Sequence, residues 1–178
     1  MKRIKGFRLF LLALAVIGLL AGCNFVFSSS VSVRVTGDSS DSSFGSDVYV
    51  FAFTDKSARD NAYQEIVDAG KGEGDFGDYL YTLFPDGCYQ VQVAEYISSS
   101  GNPLLPSGSG TVATFTIRWN TSSPEFGEDY DRAEAYFIAA TSDSTGDYAG
   151  KTDYMLVSGG KNSTVLRIQN VNEITLDE

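Results

Sequence analysis

Acidic side chains in the loops are the groups whose type and spacing could bind a metal ion. Asp143 and Asp147 enclose Ser144-Thr145-Gly146, and because glycine allows a tight turn, we expect the two carboxylates to face each other. Carboxylates and backbone carbonyls are the ligands that Ca²⁺ takes in proteins. The spacing predicts a weak site for a divalent cation, Ca²⁺, at Asp143 and Asp147. The alternative is an acidic loop exposed to water.

The remaining acidic loops suggest two hypotheses, calcium binding and glycoside hydrolysis. They contain Asp38, Asp41 and Asp47; Asp75 and Asp78; and Glu125, Glu128, Asp129 and Asp131. None matches the EF-hand loop, which has glycine at its sixth position and glutamate at its twelfth. Glycoside hydrolysis needs two carboxyl groups about 5 to 9 Å apart, which the acids of 125–131 could supply. Closeness in sequence does not set that distance, so acidic surface loops are the alternative here too.

Aromatic residues suggest a surface on which sugars could stack. The candidates are Trp119, Tyr79, Tyr81, Tyr96 and Tyr130. Trp119 shares one face of a predicted strand with Phe115 and Ile117, which favours packing in the core instead. The triplets that begin at Asn120 and Asn162 match the glycosylation signal, a short pattern that carries no functional conclusion on its own.

The absence of histidine limits the chemistry open to this chain. It excludes a Ser-His-Asp triad, a Cys-His pair and a zinc site with histidine ligands. One of the two cysteines, Cys88, follows Pro85-Asp86-Gly87 and begins an apolar strand, so we expect a small buried side chain. The other cysteine, Cys23, ends the apolar N-terminal segment and is a candidate for covalent modification there, so we expect no intrachain disulfide at Cys88.

The first 22 residues have the order of a secretory signal. Residues 1–8 contain four basic side chains and no acid, and residues 9–20 are apolar apart from Gly18. An apolar segment of this length is shorter than the roughly 20 residues that a membrane span needs. It ends in Leu20-Ala21-Gly22-Cys23, which resembles the lipobox of bacterial lipoproteins. The alternative is an ordinary cleaved signal in which Cys23 is incidental.

The lipobox resemblance implies a location for the protein. In that family a peptidase recognises Leu20, Ala21 and Gly22, cuts before Cys23, and the thiol and amine of Cys23 are acylated. Two or three acyl chains give stable membrane anchoring. The resemblance therefore implies a lipid-anchored protein of the bacterial cell envelope. Under the family's sorting rules, Asn24 favours the outer membrane in a Gram-negative-like organism, and the outer face of the plasma membrane is expected otherwise.

The chain that remains after cleavage is short and acidic. Residues 23–178 contain nine basic and 23 acidic side chains, a formal charge of −14. This charge argues against nucleic acid and against anionic headgroups as partners. The length fits one domain with a real core. We expect a lipidated cysteine and tether over 23–30 and a single domain over 31–178.

The hydrophobic pattern of these residues predicts an all-β domain. Strands are predicted over 31–36, 47–54, 79–84, 88–97, 111–119, 133–140, 153–158 and 164–169, with a short edge strand over 171–176. One helix is predicted over 55–70, capped by Ser57 and ended by Gly70. Residues 159–162 are predicted to form a hairpin turn between the last two long strands. The fold class expected is an antiparallel β-sandwich of seven to nine strands with one short helical insertion.

Three segments resemble the prealbumin-like (transthyretin-like) sandwich of some bacterial lipoproteins. They are residues 47–53, residues 83–91 around the Pro-Asp-Gly turn, and residues 136–140. The helical insertion departs from the simplest members. The resemblance implies a structural or binding domain of unknown protein or glycan partner, and no enzyme. A carboxylate-based glycoside hydrolase or a glycan-binding protein is the alternative, and no cofactor beyond weak Ca²⁺ is expected.

Overall fold

The computed structural model describes residues 26–37, 44, 46–97, 110–120 and 132–176. Residues 1–22, Cys23 and the acids at 38, 41 and 125–131 lie outside this part of the chain. The described residues are mostly β. The strands are β1 (Val26–Thr36), β2 (Val48–Phe53), β3 (Cys88–Ile97), β4 (Gly110–Asn120), β5 (Arg132–Asp143), β6 (Gly146–Lys151), β7 (Met155–Ser158), β8 (Gly160–Arg167) and β9 (Gln169–Asn170). The helices are α1 (Lys56–Gly70), α2 (Phe76–Thr82) and a 3₁₀ turn (Val171–Glu173).

The strands form one curled mixed sheet. Its order is β8-β1-β4-β3-β2-β5-β6-β9, and β7 pairs with β5. All pairs are antiparallel except β1 with β8, which run parallel from Ser29 beside Gly160 to Thr36 beside Arg167. Residues 160–170 lie at both edges of the sheet, because β8 pairs with β1 and β9 pairs with β6. The mostly-β prediction is confirmed, but a wholly antiparallel arrangement is wrong.

Two hydrophobic cores lie on opposite faces of the sheet. The inner core contains Val31, Val33 and Val35 of β1 together with Phe115 and Phe137, whose rings lie 5.3 Å apart. The outer core lies beneath the two helices and contains Phe51, Phe53, Ile66, Val67, Leu80 and Ile138. Strand β2 and residues 135–140 of β5 are therefore covered on both faces, which explains why these two stretches are apolar throughout.

Strand β1 is longer than predicted, because residues 26–30, expected to be tether, are paired with β4. Their serines resemble a linker in sequence, yet Ser29 is buried and accepts a 2.7 Å hydrogen bond from Asn162 Nδ2. A satisfied hydroxyl can be buried at little cost.

The strand predicted over 79–84 is wrong, because these residues belong to helix α2 and the loop after it. The carboxylate of Asp75 caps α2 by accepting a 3.0 Å hydrogen bond from Asp78 N. Phe76 and Leu80, four residues apart, are buried beside α1 and β5. Helix α1 is confirmed, but its cap is Asp55, which accepts a 2.7 Å bond from Ala58 N, and not Ser57.

The C-terminal third contains three further differences. Strand β6 was not predicted, because Gly-Asp-Tyr-Ala-Gly-Lys has no apolar alternation. The hairpin predicted at 159–162 is wrong, since β7 pairs with β5 whereas β8 pairs with β1. The edge strand predicted over 171–176 is a 3₁₀ turn followed by extended chain, and its Val171 packs beneath α1 in the outer core.

Candidate functional site

A cleft of 350 Å³ lies where the first turn of α1 meets the start of β5 and the segment between β6 and β7. Its lining residues are Lys56, Arg59, Glu134, Tyr136, Asp153 and Tyr154. The pair from α1 is three residues apart and the pair from β5 is two residues apart, so each pair shares one face of its element. Three segments that are distant in sequence thus place cations, acids and aromatic rings around one opening.

Arg59 is the buried centre of this cleft. Its side chain is only 2% exposed, and its Nη1 donates a hydrogen bond to the carbonyl oxygen of Thr152. Its guanidinium carbon lies 5.3 Å from the ring centroid of Tyr136, a cation–π contact. Its Nε lies 3.0 Å from Asp60 Oδ1 but makes no hydrogen bond of normal geometry. The positive charge of Arg59 is therefore balanced by the Asp60 carboxylate and by the Tyr136 ring, while the buried Nε–H of Arg59 lacks a hydrogen bond of normal geometry.

The backbone at Thr152 is held from both sides. Its N–H donates to Phe137 O at 2.9 Å, and its Oγ1 accepts from Phe137 N at 3.0 Å. With Arg59 bound to the carbonyl of the same residue, helix α1 and strand β5 fix the segment that bears Asp153 and Tyr154. The cleft is consequently built on rigid elements.

Tyr136 and Glu134 form a hydrogen-bonded pair on β5. The Tyr136 hydroxyl donates to Glu134 Oε2, and burial, followed by the Glu134 carboxylate, raises the pKa of Tyr136 to about 12. The Glu134 side chain is nevertheless exposed at the mouth of the cleft, as is Asp153. Both carboxylates are therefore in contact with water and open to a ligand.

A second ion-pair group stands behind Arg59. Lys151 Nζ lies 2.9 Å from Asp60 Oδ1 and 4.8 Å from the ring centroid of Tyr63. Burial acts to raise the pKa of Asp60, but the hydrogen bond from Lys151 and the nearby cations outweigh it, so that pKa lies below its ordinary value. Asp60 is thus paired with both Lys151 and Arg59, and it supports the cleft indirectly, through its contact with Arg59.

A larger opening of 450 Å³ lies on the other side of the first turn of α1. Two of its acids have local structural roles, because Asp55 caps the helix and Glu65 Oε1 accepts a 3.0 Å hydrogen bond from Tyr79 OH. Among the described residues, its lining includes no lysine or arginine. The Arg59 cleft is therefore the better candidate for a site.

The predicted calcium residues Asp143 and Asp147 lie in the β5–β6 hairpin. Asp143 Oδ1 accepts a 2.7 Å bond from Thr145 N, and Asp147 Oδ1 accepts a 2.6 Å bond from Ser142 Oγ. Burial acts to raise the pKa of Asp143, but hydrogen bonds from Thr145 and Gly146 outweigh it and lower that pKa. Within the described residues, no group of three or more His, Cys, Asp or Glu side chains is arranged to hold a metal ion. Calcium binding stays a prediction.

The other sequence candidates are dispersed. Cys88 is a free, half-buried thiol whose pKa is raised by burial, and its Sγ lies 3.4 Å from the carbonyl oxygen of Gln90. Tyr79 stacks on Phe76 with ring centroids 6.1 Å apart, and Tyr81 is 77% exposed on α2. None of these residues lines the Arg59 cleft. The side chain of Trp119 and all of Tyr130 lie outside the described part of the chain.

None of the six residues that line the Arg59 cleft was predicted from the sequence as a site residue. One signal was present, because Lys56 and Arg59 stand in the first turn of α1, which has no acid. Cations at the positive end of a helix dipole are locally unfavourable, and such conflicts are typical of functional sites.

Comparison of this chain with protein-family models, with curated proteins and with solved structures finds no match in any of the three. Within the described residues, no helix has the length and apolar character needed to cross a bilayer.

Proposed function

We propose that this protein is a lipid-anchored lipoprotein of the bacterial cell envelope whose β-rich domain binds a ligand without transforming it. The anchoring rests on one observation, the Leu20-Ala21-Gly22-Cys23 segment at the end of a short apolar run behind a basic N-terminus. The binding role rests on the Arg59 cleft. We interpret the curled sheet as a variant of the antiparallel sandwich, in keeping with the prealbumin-like resemblance.

The position of the cleft supports a role near the membrane surface. Strand β1 begins at Val26, three residues after Cys23, so the anchor is within roughly 10 Å of the domain. Ser29 of β1 pairs with Gly160, and Ser158 pairs with Arg132 at the start of β5. The first residues of β1, which follow the proposed anchor, therefore lie at the same end of the sheet as the cleft.

A glycoside hydrolase is the second candidate, because Glu134 and Asp153 line the same cleft. A general acid in such enzymes is kept protonated near neutral pH by an environment shielded from water. Both carboxylates are exposed, which favours binding over hydrolysis. Release of nitrophenol from a panel of nitrophenyl glycosides tests this choice. Turnover that is lost in both Glu134→Gln and Asp153→Asn would replace the binding proposal by the enzyme.

Mass spectrometry of protein extracted from membranes tests the anchor. We expect residues 23–178 plus the mass of two or three acyl chains, and no acyl mass on Cys23→Ala. The matched control is Cys88→Ala, whose thiol lies within the folded domain and should not affect lipidation. A mature N-terminus other than acylated Cys23 would contradict the proposal.

A further inference from the structure

We propose that the Arg59 cleft is a binding site for an uncharged sugar. This inference rests on the proposed binding function and names the ligand class for that site.

The charges around the cleft favour a neutral ligand. Lys56 and Arg59 are cations, whereas Glu134 and Asp153 are anions, so the formal charges of the four lining side chains cancel. Asp60, which neighbours Arg59, is paired with Lys151, so this second pair leaves the balance unchanged. A small anion in this space would face both carboxylates, and a small cation would face the ammonium and the guanidinium. Like charges brought into contact repel each other, even where water partly screens them. An uncharged ligand avoids both penalties.

The hydrogen-bonding inventory fits a polyhydroxylated ring. Lysine and arginine offer only donors, and ionised carboxylates offer only acceptors. A sugar hydroxyl is donor and acceptor together, so adjacent hydroxyls can satisfy a carboxylate and a cation at once. The Arg59 guanidinium is already fixed by Thr152 O, and Glu134 is already fixed by the Tyr136 hydroxyl. Side chains held in place before binding lose less conformational entropy when the ligand arrives.

An exposed aromatic ring completes the site. Tyr154 is 60% exposed, whereas the Tyr136 ring is covered by Arg59. The face of Tyr154 can pack against the apolar face of a sugar ring. The cleft volume of 350 Å³ lies at the lower end of the range for small-ligand sites, which suits one or two sugar units at low affinity.

Saturation-transfer NMR on the full chain, purified in a detergent without a sugar headgroup, tests this inference. The neutral probes are glucose, N-acetylglucosamine, maltotriose and chitotriose. The charged probes are glucuronate, glucosamine and the zwitterion glycine. We expect transfer to at least one neutral sugar and weaker binding of its charged counterparts. Tyr154→Ala should reduce the affinity roughly two- to tenfold, the range of an aromatic packing contact.

Control variants separate this site from nonspecific contact. Tyr81→Ala removes an exposed tyrosine outside the cleft and should leave affinity unchanged. Asp153→Asn removes an exposed acceptor charge without disturbing the core and should weaken binding.

Three results would overturn the inference: no neutral sugar binding at tens of millimolar, tighter binding of a charged probe than of every neutral one, or equal affinity in Tyr154→Ala. Tight binding of a charged probe would leave the proposed binding function intact and reject only the sugar. No binding by any probe together with glycoside turnover would reject both.

Discussion

Replacement of Gly150 by alanine should destabilise the domain strongly. Gly150 is buried on β6, and a Cβ there would overlap the carbonyl oxygen of Arg167 and lie 2.9 Å from its carbonyl carbon and 3.0 Å from Ile168 Cα. These are backbone atoms at the end of β8, so the clash cannot be relieved by rotation of a side chain. The two segments would have to move apart where residues 160–170 approach β6.

The magnitude follows from the nature of the obstacle. Inserting a methyl group into a packed interior costs about 1 to 3 kcal/mol, and a backbone obstacle places this site near the upper value. For a domain of this size, a loss of about 3 kcal/mol lowers the melting temperature by roughly 6 to 12 °C. That is a large part of the 5 to 15 kcal/mol typical of a folded domain, as a rough scale.

Circular dichroism melts of the full chain in detergent provide the measurement. Gly159→Ala is the matched control, because a Cβ at that position meets nothing within 4 Å, and it should melt within about 2 °C of the parent, as exposed substitutions do. If Gly150→Ala melted as the parent does, the close approach of β6 to Arg167 would be refuted.

Three further predictions concern a tyrosine, a helix cap and a metal ion. Between the ordinary pKa of 10.0 and the folded value of about 12, the folded state keeps the Tyr136 proton that the unfolded state loses, so stability should fall as pH rises through this window. Urea titrations at pH 9 and 11.5 should show a smaller loss of stability in Tyr136→Phe, and an unchanged loss would contradict the raised pKa of Tyr136. Asp55→Ala should cost about 1 kcal/mol in the same titration at pH 7, and Ser57→Ala, which removes the residue first expected to cap the helix, should cost less than half of that. If Asp143 and Asp147 bind Ca²⁺ in the range of about 10⁻⁴ to 10⁻³ M, a tenfold excess over Kd should stabilise the protein by about 1.4 kcal/mol relative to chelator. No thermal shift, or an equal shift in the Asp143→Asn/Asp147→Asn variant, would remove this site.

The sequence predicted the secondary structure well wherever only one periodicity was present, either that of a strand or that of a helix. Val31, Val33 and Val35 alternate with polar residues, and the structure buries all three in the inner core. Helix α2 was missed because the strand predicted over 79–84 left out Phe76, which together with Leu80, four residues later, forms the buried face of the helix. Its deciding signal was the cap residue Asp75, which lay in a loop counted only as acidic.

Pairing between distant strands could not be predicted from the sequence. The alternation in β8 is the same whether it pairs with its neighbour in a hairpin or in parallel with β1, more than 120 residues earlier. The Arg59 cleft was missed for the same reason. Its residues come from three segments that are distant in sequence, and only the packing of α1 over β5 brings them together.

Residues 160–170 supply the strands at both edges of the sheet, and this arrangement has a consequence for the rate of folding. The first strand of the domain finds its parallel partner only when the C-terminal segment has been made, since Ser29 and Gly160 are 131 residues apart in sequence. Contacts of such separation slow folding, because a large loop must close before they stabilise anything. Until then β1 and β6 each present an unpaired edge, which is the feature that other chains can join. Residues 160–170 therefore cover the edges of β1 and β6, and we expect those two edges to stay open to other chains until this segment has paired.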